Sequence, residues 1–187
     1  MNQNFTKMAF TQSVKDVQTE FGSRNHYAKL EHSADRFELT EKEEPFIRTR
    51  DSFYLSSVGE NGWPYVQYRG GPKGFLKIID SATLGMADYR GNGQYISTGN
   101  FNSTRKAMLF LMDYPTKSRL KIWAEAEVLA IKENEELAKK LVDDEYGAVI
   151  ERLLLFHIKA YDWNCKQHIT PRFTLEEYQN MALRQQP

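Results

Sequence analysis

The sequence has very little cysteine and no excess of charge of either sign. Cys165 is the only cysteine among 187 residues, so an internal disulfide cannot form and a reducing compartment is expected. Basic and acidic residues are equal in number, at 25 each. This balance argues against a general nucleic-acid-binding protein, because such proteins need a basic surface to neutralise phosphates. It leaves room for a local pocket that binds a small anion.

Long apolar runs are missing as well. No window approaches the ~18 apolar residues of a membrane-spanning helix, and residues 1–10 lack the apolar stretch behind a basic start that marks a signal peptide. We therefore expect a cytoplasmic protein that makes no membrane contact. Aromatic residues, in contrast, are abundant, with 11 Phe, 10 Tyr and 3 Trp. They suit a core, an interface or a stacking site.

Strand-like patterns fill the middle of the chain, from about residue 51 to residue 131. The Asn61-Gly62 pair predicts a tight hairpin turn, because both residues tolerate positive φ. On the strand after this turn, alternation places Gln67 and Arg69 on one face. Residues 107–112 are apolar on both faces, which predicts a central or interface strand.

Helix-like segments flank this region. The N-terminal segment, about 1–49, is polar and helix-like, residues 132–141 predict a charged helix, and about 152–187 predict a strand followed by a helix. Five to seven antiparallel strands joined by short turns, with helices around them, predict a mainly β fold with α decorations and a small antiparallel β-barrel. The length fits one domain spanning residues 1–187.

Two glycine-rich segments are the first candidates for a site, Arg69–Lys73 and Asp88–Gln94. Glycines beside Arg, Lys and Asn let backbone N–H groups approach an anion while the side chains hold it, so a phosphate or carboxylate site is one interpretation. Two ordinary turns with solvated charges are the other. Neither segment has the spacing of a Walker loop or of a dinucleotide-binding fingerprint.

Other polar residues leave alternatives open. Arg119 and Lys121 share the polar face of a predicted strand, where they could hold an anion or pair with Glu125 and Glu127. Near the C-terminus, Cys165 and His168 have the spacing of half a zinc site, but too few further ligands follow, so we expect no metal.

The central sequence resembles a known family. The segments RDSFYLSSVGENGWPYVQYRGGPKGFLKIID, DYRGNGQYISTGNF and LFLMDYPTKSRLKIWAEAEV carry the resemblance, which is to the pyridoxamine 5′-phosphate oxidase-related family of FMN-binding split barrels. The tail YDWNCKQHITPRFT and the early SVKDVQTEFGSRNHYAKLE are similar to one uncharacterised subgroup.

The resemblance implies a split-barrel homodimer with FMN at the subunit interface. The strand bearing Gln67 and Arg69 would lie against the flavin ring, and the segments 88–94 and 97–100 would bind the ribityl phosphate. Arg119 and Lys121 would reach the flavin across the dimer. The full set of cofactor-binding residues expected from the resemblance is Gln67, Arg69, Lys73, Asp88, Arg90, Asn92, Gln94, Ser97, Asn100, Arg119, Lys121, Trp163 and Arg172.

The expected function is that of an FMN-dependent oxidoreductase, which would move a hydride between the flavin and a small substrate or a reduced nicotinamide. His168 is the candidate proton donor. The sequence departs from the oxidase in its phosphate loop, Arg90–Gly93, and in 164–168, so the family's FMN is expected but its pyridoxamine phosphate substrate is not. A flavin-binding storage or sensing protein is the alternative, and a deazaflavin- or haem-binding relative of the same barrel is a further one.

Overall fold

The computed structural model describes residues 4–32, 37–163 and 166–184, so Cys165 lies outside the described residues. Within them, seven strands form one antiparallel sheet with the order β2-β1-β5-β6-β7-β4-β3. The strands are β1 (Ser52–Val58), β2 (Pro64–Gly70), β3 (Lys77–Asp80), β4 (Thr83–Tyr89), β5 (Lys106–Asp113), β6 (Ser118–Leu129) and β7 (Ile150–Trp163).

Seven α-helices surround this sheet in the described part of the chain. They are α1 (Phe5–Ala9), α2 (Gln12–Glu20), α3 (Arg24–Glu31), α4 (Glu43–Arg48), α5 (Ile96–Thr104), α6 (Glu135–Leu141) and α7 (Leu175–Arg184). Short 3₁₀ turns cover Ile131–Glu133 and Asp144–Tyr146. None of the described helices combines the length and the apolar character that crossing a membrane requires.

The predicted hairpin joins β1 to β2. Gly62 has φ +81°, a conformation that glycine adopts without a steric cost, and Gly59 N donates to Trp63 O at 3.0 Å. In β2, Gln67 and Arg69 are half-buried while Val66 and Tyr68 are exposed, as the alternation predicts. The polar face of β2 therefore turns towards the rest of the chain, where a site can form.

The core lies between the inner faces of β1, β5, β6, β7 and β4. Residues with no exposed surface come from each of these strands, among them Leu55, Leu109, Ile122, Phe156 and Leu84. β5 has neighbours on both sides, with Leu109 and Leu111 fully buried and Met108 and Phe110 half-buried on the other face, which confirms the prediction of a central strand.

Helix α5 was not expected from the sequence. Its residues ISTGNFNST are poor helix formers, because Ser, Thr and Asn compete for backbone hydrogen bonds and Gly adds chain entropy. Contacts with β1 hold it in place: Thr104 Oγ1 donates to Val58 O at 2.8 Å, Asn100 Nδ2 donates to Ser57 Oγ at 2.9 Å, and Phe101 is buried. Tertiary packing therefore overrides local propensity and fixes the start of α5 beside β2.

Candidate functional site

A cleft lies between β2, β4, the start of α5 and β7. Its volume is about 60 Å³. Six of the residues that the resemblance assigns to the cofactor line it: Gln67, Arg69, Asp88, Asn92, Gln94 and Ser97. The structure thus brings the polar face of β2 and the glycine-rich segment after β4 to one place.

A buried carboxylate joins two arginines at the bottom of the cleft. Asp88 is 3% exposed; its Oδ1 accepts from Arg69 Nη1 at 2.7 Å and its Oδ2 accepts from Arg152 Nη1 at 3.0 Å. Asp88 and Arg152 are opposite each other in the β4–β7 register. Both carboxylate oxygens are therefore used to orient the guanidinium groups.

Each guanidinium group has further support. Arg152 Nη1 also donates to Thr98 Oγ1 at 3.0 Å, its Nη2 donates to Glu151 Oε2 at 2.8 Å, and its guanidinium carbon lies 4.8 Å from the centre of the Tyr95 ring. A guanidinium group has five N–H donors, so these contacts still leave donors for a ligand. Arg152 is thereby a pre-oriented cation.

Gln67 supports Arg69 from the other side. With its carbonyl oxygen turned towards Arg69, Gln67 accepts from Arg69 Nη2 at 2.9 Å and from the hydroxyl of Ser97. This orientation is the chemically sensible one, because arginine nitrogens only donate. The amide nitrogen of Gln67 then remains as a donor.

Glu151 ties both ends of the glycine-rich segment to β7. Its Oε1 accepts from Arg90 Nε at 3.1 Å and from the Tyr95 hydroxyl at 3.0 Å. Desolvation acts to raise the pKa of Glu151, but the hydrogen bonds from Tyr95 and Arg90 and the charge of Arg152 outweigh it and hold the pKa below its ordinary value. Glu151 is therefore a carboxylate at neutral pH and fixes the segment over the cleft.

The start of α5 adds backbone donors. No side chain in the described part of the chain caps this helix, and the first N–H groups of a helix have no partner within it. Just before it, Gly93 has φ +76°, and a Cβ at Gly91 or Gly93 would meet no atom within 4 Å, so the backbone is open to an approaching group. Uncapped N–H groups at a positive helix end are a common anion site.

The donor set fits a phosphate group. Two oriented arginines, open backbone N–H groups and the hydroxyl of Thr98 all offer donors towards one small volume. About 60 Å³ is well below the roughly 300–1,000 Å³ of pockets that enclose a whole cofactor-sized ligand. The cleft of one chain therefore has room for the phosphate end of such a ligand, while a ring system would extend outside it.

The pyridoxamine 5′-phosphate oxidase family model matches residues 39–168, more than half of the chain. The chain belongs to the pyridoxamine 5′-phosphate oxidase family. The matched region contains every strand of the sheet and every residue of the cleft. No curated protein is significantly similar to the chain.

Solved structures show the same fold. An FMN-binding protein from Syntrophomonas wolfei is 18% identical, with 82% of this chain and 96% of that one covered and a TM-score of 0.53. A protein related to general stress protein 26 from Clostridium acetobutylicum is 13% identical, covering 73% and 94%, with a TM-score of 0.51. The HupZ protein of Group A Streptococcus is 12% identical, covering 72% and 99%, with a TM-score of 0.51. The predicted split β-barrel is confirmed.

Six residues that the family resemblance assigned to the cofactor lie away from the cleft in the single chain: Lys73, Asn100, Arg119, Lys121, Trp163 and Arg172. Asn100 holds α5 to β1, as described above, and exposed Lys73 has its Nζ 3.7 Å from Glu176 Oε2. Lys121 pairs with Asp162 at 3.2 Å and lies over the ring of Phe5. Trp163 lies against α4.

Trp163 has a structural role in this chain. Its Nε1 donates to Glu43 Oε1 at 2.6 Å and its ring packs edge-on against Phe46 at 4.8 Å. Glu43 is 3% exposed and also accepts from Thr40 and from the Tyr161 hydroxyl, so this one carboxylate links the first residue of α4 to the chain before it and to β7. Trp163 therefore joins α4 to the end of β7, with its indole N–H already occupied.

Two of these six, Arg119 and Arg172, meet the candidate proton donor His168 in a second pocket. Arg119, His168 and Arg172 line a cavity on the outer face of β1, β5 and β6, away from the cleft residues. The alternative that Arg119 and Lys121 pair with Glu125 and Glu127 is wrong, because Lys159 and His157 of β7 take those two carboxylates, as the β6–β7 register allows.

Sequence reasoning missed the β7 side of the cleft. Glu151 and Arg152 lie at the start of β7 and were not among the predicted site residues, and neither was Tyr95 at the start of α5, whereas Thr98 falls within the predicted segment 97–100. An Arg in phase with the buried residues of a strand is a signal that could have indicated Arg152. Among the described residues, no group of three or more His, Cys, Asp or Glu comes together as a metal site requires.

Proposed function

We propose that this chain binds FMN with its phosphate group in the cleft between β2, β4, α5 and β7. The observation that carries the proposal is the pair Arg69 and Arg152, oriented by buried Asp88 beside the uncapped start of α5. A terminal phosphate carries a charge of about −1.5 to −2 and three acceptor oxygens, which suits two guanidinium groups and backbone N–H groups. Family membership supports a flavin nucleotide as the ligand that presents this phosphate.

The charge of the cleft favours one anionic group. Three arginines, Arg69, Arg90 and Arg152, meet two carboxylates, Asp88 and Glu151, which leaves one net positive charge. The carboxylates neutralise part of the arginine charge, so the folded protein tolerates this cluster before a ligand arrives. A phosphate would then complete the charge balance.

A homodimer is part of the proposal. Because the cleft accommodates only the phosphate end, the flavin ring needs a surface beyond it, and a second copy of the chain would supply that surface. Gln67 lines the cleft from β2, and its amide nitrogen would be a donor to the ring.

When bound, FMN would supply hydride and electron transfer. The residues of the chain would bind and orient it: Arg69 and Arg152 at the phosphate, and Gln67 towards the ring. We propose an oxidoreductase acting on a small substrate, with a flavin-binding protein without catalysis as the second candidate. Anaerobic mixing of the flavin-loaded protein with NADH or NADPH separates them: loss of the visible flavin absorption supports the enzyme, and persistence with both donors supports the binding protein.

The binding proposal has a direct test. Stripped protein is titrated with FMN and with riboflavin, and retained flavin fluorescence is measured for wild type, Arg69→Gln, Arg152→Gln and the control Lys73→Gln. Each arginine change should weaken FMN binding about ten- to a hundredfold, the range of one charge-assisted hydrogen bond, and leave riboflavin unaffected. Lys73→Gln should bind as wild type, because Lys73 lies outside the cleft. Equal FMN affinity in all four proteins would remove the cleft from the flavin site.

A further inference from the structure

Two Asn-Gly dipeptides occur in the sequence, and they lie in different surroundings. Asn61-Gly62 forms the hairpin turn between β1 and β2, whereas Asn92-Gly93 lies in the glycine-rich segment that lines the cleft. An asparagine followed by glycine is open to reaction with its own backbone, because glycine has no side chain that shields its amide nitrogen. The same dipeptide at two places allows this chemistry to be compared within one chain.

The reaction is an attack of the glycine backbone nitrogen on Cγ of the preceding asparagine. A C–N bond forms, the bond from Cγ to Nδ2 breaks, and Nδ2 leaves as ammonia after taking up the amide proton. Water then opens the resulting cyclic imide at either of its carbonyl groups. The net change is asparagine plus water giving aspartate or isoaspartate plus ammonia, so no oxidant, metal or cofactor is required.

The two dipeptides are closely matched in local geometry. Both asparagines and both glycines are exposed. In each case the asparagine Oδ1 accepts, at 3.1 Å, from the backbone N–H two residues further along the chain. The φ angles are +81° at Gly62 and +76° at Gly93. Exposure, side-chain contact and glycine conformation therefore give no reason for the two dipeptides to react at different rates.

The attacking nitrogen is engaged in one dipeptide and open in the other. Gly62 N donates to Gly59 O at 2.9 Å, as part of the hairpin turn. Gly93 N has no acceptor among the residues that the structure describes. The hydrogen bond of Gly62 has to break before its nitrogen can attack, whereas the nitrogen of Gly93 is available without this step.

The flanking structure reinforces the difference. The β1–β2 pairing continues to Val58 and Pro64, on either side of the hairpin turn. The residues around Asn92, in contrast, belong to no strand or helix, and Glu151 holds only Arg90 and Tyr95 at the two ends of this segment. Closing the imide ring needs a local rearrangement of the backbone, which paired strands oppose and an unpaired segment permits.

We infer that Asn92 is a site of spontaneous deamidation, at which reaction with Gly93 converts a neutral side chain of the cleft into a carboxylate. The cleft has one net positive charge from three arginines and two carboxylates, so one further carboxylate brings its charge to zero. The consequence for binding rests on the proposed FMN function, because the phosphate of FMN would lose this attraction. Modification of Asn61 would leave the cleft unchanged, since Asn61 does not line it.

The modification itself is tested without a ligand. The full-length protein is incubated at mildly alkaline pH, which favours loss of the amide proton. Mass spectrometry of the peptides around each asparagine then follows the conversion to aspartate and isoaspartate over time. We expect Asn92 to react about two- to tenfold faster than Asn61, the range that one backbone hydrogen bond covers. In urea-unfolded protein the two rates should become equal, because the hydrogen bond of Gly62 is then lost.

The variant Gly93→Ala tests the role of the attacking nitrogen. Its methyl group lies beside that nitrogen and should slow the reaction at Asn92. Asn61 in the same sample is the internal reference, and its rate should stay as in the wild type.

The variant Asn92→Asp reproduces the added charge and is titrated with FMN and with riboflavin. It should bind FMN about tenfold more weakly, the effect of one charge near a phosphate, and should bind riboflavin as the wild type does. Asn61→Asp is the matched control and should bind both flavins as the wild type does.

Equal or faster modification of Asn61 in the folded protein overturns the inference, and so does a difference in rate that persists in urea. Unchanged FMN affinity in Asn92→Asp, while Arg69→Gln lowers it, overturns the effect on the cleft and leaves the FMN proposal standing. If neither variant changes the affinity, the FMN proposal fails, and the two modification rates alone decide whether Asn92 is a deamidation site.

Discussion

The carboxylate of Asp88 has two effects beneath the cleft: it orients two arginines, and it cancels part of their positive charge. Replacing Asp88 with asparagine separates these effects. Asparagine has nearly the same shape, but one of its two terminal atoms is a donor rather than an acceptor. It can accept from one of Arg69 and Arg152, and its N–H₂ group then faces the other. The substitution also removes one negative charge from a cluster of three arginines and two carboxylates.

The stability of the flavin-free protein should fall. The side chain of Asp88 is only 4% exposed, so solvent screens its ion pairs weakly. Losing one charge-assisted hydrogen bond costs about 1.5–3 kcal/mol. This is less than the roughly 3–5 kcal/mol for breaking a buried pair outright, because one of the two hydrogen bonds survives.

FMN affinity, in contrast, should rise. Arg152 keeps its contacts with Thr98, Glu151 and Tyr95, and Arg69 keeps Gln67, so the guanidinium groups stay near their positions. The net charge of the cleft increases by one. For a phosphate of charge about −2 at about 6 Å in a water-like dielectric, one charge contributes about 1.4 kcal/mol, or about tenfold in affinity.

Two measurements decide the matter. Urea unfolding of stripped protein gives the loss of stability, and titration with FMN and with riboflavin gives the change in affinity, each at low and at high salt because screening weakens the charge effect. Riboflavin, which lacks the phosphate, should bind equally to both proteins. A fall in FMN affinity with intact folding would refute the reasoning and show that orientation by Asp88 outweighs its charge.

Three further changes test other parts of the structure. Trp163→Phe should lower the free energy of unfolding by about 1.5–3 kcal/mol, because the bond to Glu43 is lost, and should leave FMN affinity unchanged in titration; reduced affinity at full stability would return Trp163 to the flavin site. Gly93→Ala should lower the free energy of unfolding by about 1–2 kcal/mol, because alanine adopts the φ of +76° only with strain. Urea unfolding measures this loss, with Gly91→Ala as the control because the φ of Gly91 is not positive. An equal loss in both variants would contradict a backbone cause. Although desolvation acts to raise the pKa of Glu43, hydrogen bonds from Thr40 and Trp163 lower it below 4.5, so its stabilisation is present above that pH and is lost as the pH falls through the lowered value. Glu43→Gln should therefore flatten the acid side of the stability curve, and an unchanged curve would contradict this assignment.

Much of the sheet could be predicted from local patterns. The hairpin at Asn61-Gly62, the alternation along β2 and the half-buried pattern of β6 depend on residues that are neighbours in the sequence. Helix α5 could not be predicted this way, because its contacts with Ser57 and Val58 outweigh a composition unfavourable to helices.

The candidate site was predictable only in part. Glycines and polar residues indicated the segment from Asp88 to Gln94, but the direction of the Asp88 side chain depends on the β4–β7 register, which places Arg152 opposite it. A carboxylate expected to face the ligand instead holds two arginines. Trp163 likewise has the residue type and approximate position of a flavin contact, while its N–H group is used by Glu43 on another element.

The equal numbers of basic and acidic residues conceal two different arrangements of arginine. In the cleft, Asp88 and Glu151 orient the guanidinium groups and cancel most of their charge. An anion bound there would depend more on well-placed hydrogen-bond donors than on a strong positive potential. In the second pocket, aromatic rings orient Arg119 and Arg172 and cancel none of it. An arginine's neighbours in the sequence do not distinguish these states, because Arg69, Asp88 and Arg152 come from three separate strands. The charge of each pocket therefore depends on which strands lie side by side, and a count of basic residues in the sequence does not reveal it.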